Sequence, residues 1–80
     1  MATLRARLTF PENTVKRPHI YEVGQAYDIV WSVRTANVTA DFGWVHLEMT
    51  GEEENLQKAV EAFESRGITV APIEGDVVAN

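Results

Sequence analysis

Apolar and polar positions alternate strictly from Leu4 to Phe10: Leu4, Ala6, Leu8 and Phe10 share one face, and Arg5, Arg7 and Thr9 share the other. A period of two is the mark of a half-buried strand, and Pro11 ends it. The polar stretch from Pro11 to Arg17 reads as a loop. Pro18 suits the first turn of a helix, where its missing N–H costs nothing. Ile20, Val23, Gly24 and Tyr27 follow at i, i+3, i+4 and i+7 and form the inward face of a short helix. Gly24 in its interior costs about 1 kcal/mol relative to alanine, so close packing against the sheet is expected there.

Tyr27 to Thr39, rich in β-branched and aromatic residues, predicts a second strand. Ile29, Trp31 and Val33 are its expected core face, with Val30, Ser32, Arg34 and Ala36 opposite; the reverse register would bury Ser32 and Arg34 without partners. Ala40-Asp41-Phe42-Gly43 is a turn, and Trp44 to Thr50 is a third strand forming a hairpin with the second. In it Val45, Leu47 and Met49 point inward, and Trp44, His46, Glu48 and Thr50 point out. A second helix opens at Gly51-Glu52-Glu53-Glu54, capped by Thr50 or Gly51, with its carboxylates at the favourable end of the helix dipole. Leu56, Ala59, Val60 and Phe63 supply its stripe, Glu54 and Lys58 an i, i+4 pair, and Arg66-Gly67 its end. Ile68 to Ala71 is a short fourth strand; Pro72 marks an edge position or the strand's end, and Ile73 packs before an acidic, frayed tail.

The order β-α-β-β-α-β predicts an α+β fold of the ferredoxin-like type, a four-stranded antiparallel sheet with two helices on one face and the other face open. Its 80 residues make one domain, with a core over about 4–74. A domain this small buries roughly 60% of its unfolded surface, and the chain has no cysteine to brace it, so self-association or a partner is the expected source of further burial.

Twelve acidic against seven basic residues give a net charge of −5, which disfavours nucleic-acid binding. No long apolar run or leader-like start is present, so no membrane insertion and a cytoplasmic location are expected. The chain lacks a nucleophile–base constellation, a phosphate-cradling glycine loop and thiolate ligands, so no enzyme activity, metal or cofactor is expected. His46 and Glu48, two apart on one strand, and His19 and Glu22, three apart on one helix, are ordinary polar spacings rather than a ligand set. Trp31 reads as core. Trp44, with His46 and Glu48, stands on the open face as a candidate interface. Arg5, Arg7 and Arg34 fit an RNA-binding face only in part, because the aromatic consensus motifs are missing.

Arg7-Leu8-Thr9-Phe10-Pro11, Pro18-His19-Ile20, Ala36-Asn37-Val38, Gly43 to Gly51 and Gly67-Ile68-Thr69-Val70 together resemble the NIL domain, over roughly residues 4 to 74. The specificity of the likeness lies in the order and spacing of these short segments. It implies a ferredoxin-like domain of the kind found at the C-terminus of methionine-importer ATPases, where it dimerises, binds methionine near the dimer interface and inhibits transport. NIL domains also occur fused to ferredoxin modules and as short free-standing proteins, which this chain is similar to in length. With Ala36-Asn37 as anchor, the family's Asn-Ile-Leu triplet falls on Ser32-Val33-Arg34; an alternative alignment places its asparagine at Asp28. Serine keeps a hydrogen-bonding group without the amide's paired donor and acceptor, and Arg34 brings a charge suited to a carboxylate. The resemblance thus implies a homodimeric amino-acid-binding, regulatory domain, with Ser32, Val33, Arg34, Ala36 and Asn37 as ligand-binding candidates. A module that docks a partner enzyme or transporter through its open face is the alternative.

Overall fold

A computed structural model describes the backbone of residues 1–12 and 14–79, and the side chains of residues 1–12 and 14–73. The elements run β1 (Ala2–Phe10), α1 (His19–Ala26), β2 (Val30–Val38), β3 (Gly43–Gly51), α2 (Glu53–Ser65) and β4 (Thr69–Ala79). The four strands form one antiparallel sheet in the order β2-β3-β1-β4, the expected ferredoxin-like arrangement.

The two central strands carry the alternation seen in the sequence. Ala6, Leu8 and Phe10 of β1 and Val45, Leu47 and Met49 of β3 are buried on one side. Leu8 lies opposite Val45 and Ala6 opposite Leu47, so these side chains form one apolar layer. The α2 stripe of Leu56, Ala59 and Phe63 closes over that layer, joined by Val23 of α1 and by Ile68. Fully burying a side chain such as Leu8 or Phe63 contributes about 1.5–3 kcal/mol, so this layer is the main source of stability.

Several expectations need correction. The α2 N-cap is Glu52, whose side chain makes no capping bond, because Gly51 is the last residue of β3. β4 continues through Pro72 to Ala79 rather than stopping at a short segment; it is an edge strand, where proline is tolerated. The acidic side chains of that segment lie outside the described residues. Trp31 is not core: it is 39% exposed. Ala36 does not share a face with Val30 and Ser32. Val33 pairs with Leu47 while Thr35 pairs with His46, so Arg34 is the extra residue of a β-bulge and the residues after it change sides. Gly67, at φ +83°, ends α2 as foreseen, in the conformation glycine adopts without strain.

Gly24 has the packing role its position implied. A Cβ there would lie 2.7 Å from Cδ1 and 2.8 Å from Nε1 of Trp31, so the missing side chain is what lets the indole rest against α1. Gly24→Ala is expected to push Trp31 outward and to destabilise the fold by about 1–3 kcal/mol through overpacking. Urea denaturation followed by tryptophan emission, with a red-shifted native spectrum in the variant, checks this.

Candidate functional site

The site candidates are positioned by β2, a strand hydrogen-bonded on one side only. All nine of its residues are exposed, and its apolar members Val30, Trp31, Val33 and Val38 are among the large exposed hydrophobic residues of the chain. The helices cover β1 and β3, and β2 extends past them. A long apolar strand edge of this kind is a template for a further strand, and Arg34, at the bulge, is its only charged residue.

Register assigns each candidate a side. Ser32 lies opposite Glu48, Thr35 opposite His46 and Asn37 opposite Trp44, so Ser32 and Asn37 share the open face. Val33 and Ala36 lie opposite Leu47 and Val45 and project toward the helix side. Arg34 borders an open-face hollow of about 210 Å³ together with Arg5 and His46. The five ligand-binding candidates therefore line the two sides of one strand edge and do not converge on a single cavity.

The three interface candidates do come together. The rings of Trp44 and His46 are 4.8 Å apart, and the Arg7 guanidinium lies 4.6 Å from the Trp44 ring centre. Arg5 Nε donates to Glu48 Oε2 at 2.8 Å. Trp44 is half-buried rather than bare because Arg7 and His46 cover it, a cation–π contact worth about 0.5–1 kcal/mol at such a site.

Two features escaped the sequence reading. The first is a cleft of about 270 Å³ on the helix side, bounded by the loop before α1, the first turn of α1, and Trp31, Val38 and Val45 of the sheet. Phe10, Val15 and Ile20 are among its apolar walls. The second is a polar cluster joining the two helices. His19 is 6% exposed, and its Nδ1 lies 3.1 Å from Arg66 Nη1. Arg66 and Arg17 both donate to Glu22 Oε1, at 2.6 and 2.9 Å. Since arginine only donates, Nδ1 must be the acceptor, and the neutral ring carries its hydrogen on Nε2. No sequence signal marked the cluster, because Arg66 lies 47 positions from His19.

Burial, then the nearby Arg66 and Arg17 charges, hold the His19 pKa below its ordinary value of 6.5. Hydrogen bonds from Arg66 and Arg17 hold Glu22 below 4.5. The fold thus favours neutral His19 and ionised Glu22. The His19 preference weakens stability as pH falls below 6.5, where the unfolded chain takes up a proton that the folded one resists. The Glu22 contribution is present above 4.5 and is lost as pH falls toward its lower folded value. The melting temperature should therefore decline in two stages on acidification. His19→Gln should abolish the first stage and keep the second, as a pH series of thermal melts would show.

Comparison with known proteins places this geometry. Residues 4–72 match the model of the NIL domain. No curated protein is similar enough to count as a match. Among solved structures, the C-terminal domain of an ABC transporter ATP-binding protein from Enterococcus faecalis superposes with a TM-score of 0.82 at 23% identity, over 91% of this chain and 86% of that one. The de novo designed protein Foldit4 shares the fold at a TM-score of 0.59 and 11% identity, over 99% of this chain and 97% of that one. Both likenesses speak to fold, whereas the family match spans most of the sequence: the chain belongs to the NIL domain family.

Proposed function

We propose that this NIL domain is a non-catalytic regulatory module that pairs with a second copy along β2 and binds a small amino acid, methionine by family analogy, beside that edge. The observation that carries the reading is the exposure of all nine β2 residues on a strand that also holds Ser32, Val33, Arg34, Ala36 and Asn37. A second β2 strand would satisfy the free backbone groups and cover Val30 and Val33. Arg34, raised at the bulge, supplies a guanidinium for a ligand carboxylate, and the Ser32 hydroxyl a smaller polar contact. The relative from Enterococcus faecalis is a transporter ATPase domain, so regulation of a transporter is the role this reading favours.

A second reading has its own support. Three of the seven basic residues, Arg5, Arg7 and Arg34, stand on or beside the open face with Trp44, His46 and Glu48, on a chain of net charge −5. That local contrast suits docking of an acidic partner protein on the open face.

Thermal-shift titration against the common amino acids separates the two. Ligand binding gives a saturable rise, equivalent to about 2.7 kcal/mol of stabilisation at 100-fold excess over Kd, that Ser32→Ala and Arg34→Ala abolish without unfolding the protein. Sedimentation equilibrium should show a dimer that the double variant Val30→Lys, Val33→Lys converts to a folded monomer. A silent panel on monomeric protein would contradict the first reading, and loss of partner binding in Trp44→Ala would support the second.

A further inference from the structure

We propose that the helix-side cleft between α1 and β2 is a binding site for a small aliphatic carboxylate, separate from the strand-edge site proposed above. Its inner surface is apolar, formed by Phe10, Val15, Ile20, Trp31, Val38 and Val45, and at about 270 Å³ it has room for a short hydrocarbon tail. The groups at its other end are donors. Arg17 and His19 both border it, and Arg17 commits only its Nε among the described residues, to Glu22.

The first turn of α1 adds to this. Pro18, at the N-cap, has no side-chain oxygen to offer, and no capping bond is made. The His19 N–H reaches the Arg17 carbonyl and the Glu22 N–H the Pro18 carbonyl, while the N–H groups of Ile20 and Tyr21, both bordering the cleft, find no acceptor among the described residues. Free N–H groups at a helix start favour an anion.

The buried His19 ring carries its hydrogen on Nε2, because Arg66 donates to Nδ1, and Nε2 makes no full hydrogen bond among the described residues. The Thr14 carbonyl lies near enough to favour the protonated ring. Nε2 is closed off from solvent, so His19 forms part of the cleft wall, and the donors that an entering anion meets are Arg17 and the first-turn N–H groups.

The ligand class follows from what borders the cleft. Among the described residues no aspartate or glutamate does so, so no side-chain carboxylate there would receive an α-ammonium group. The chemistry fits a carboxylate with an apolar tail in preference to an amino acid.

The test is a titration of the ¹⁵N-labelled chain with hexanoate, hexylamine and methionine, read by its amide and indole NMR signals. Hexanoate should shift the Ile20 and Tyr21 amides and the Trp31 indole saturably, and hexylamine should not. Arg17→Gln should weaken hexanoate about tenfold, the loss of one charge-assisted contact. Val38→Trp, which fills the tail space from a half-exposed position, should abolish the response while the rest of the spectrum stays native. Ser32→Ala and Arg34→Ala should leave it unchanged, so failure of the strand-edge reading would not touch this one. Equal shifts from hexylamine, tighter binding of methionine than of hexanoate at these signals, undiminished binding by Arg17→Gln, or no saturable shift with hexanoate would each overturn the proposal.

Discussion

The structure depends on the closure of the α2 stripe over β1 and β3. Leu56, Ala59 and Phe63 seal Ala6, Leu8, Leu47 and Met49, and Ile68 locks β4 to the same layer. Two helices of eight and thirteen residues are enough to cover that layer and too little to cover a fourth strand as well. β2 is therefore held by its hydrogen bonds to β3 and by Trp31 resting on Gly24, and its remaining apolar surface is left in water. A domain of this size can carry such surface because the sealed layer already holds the fold together.

This division of labour locates the functional surfaces. The strand left over by the core is the one that holds the candidate ligand residues Ser32 to Asn37, and its bulge puts Arg34 beside the open face. Through Trp31 and Val38 the same strand also lines the apolar cleft on the helix side. One packing limit thus accounts for an edge suited to a second copy and for a pocket behind it. The polar cluster of His19, Glu22, Arg17 and Arg66 braces the wall of that pocket, tying the start of α1 to the end of α2.

The parts legible in the sequence were those governed by a single dominant period. β1 and β3 are covered on one face, so Leu4 to Phe10 and Trp44 to Thr50 alternate cleanly, and the α2 stripe and Gly67 follow local rules. β2 turns Trp31, Val33, Ala36 and Val38 to the helix side, and sequence alone cannot tell such an apolar face left uncovered at a sheet edge from a buried one; Trp31 read as core for that reason. The Arg34 bulge leaves no compositional mark, so the side of Ala36 could not be read. Pro72 allowed either an edge position or the strand's end, and the edge reading holds; the choice needed the strand's place in the sheet, which is not a local property. His19 looked like a surface residue at a helix start, and the arginine that fixes its tautomer comes from the far end of the other helix. The ligand candidates were found as a segment, but their division between two sides of the sheet required the register.

The central claim is that β2 is an interrupted edge completed by a second copy, and hydrogen–deuterium exchange of its amides as a function of protein concentration tests it most directly. The account predicts that the outward-facing amides of Val30–Val38 exchange fast at high dilution and become protected together as concentration rises, while β1 and β3 stay protected throughout. Fast exchange along the outer side of β2 at every concentration, with the central strands equally protected, would contradict it.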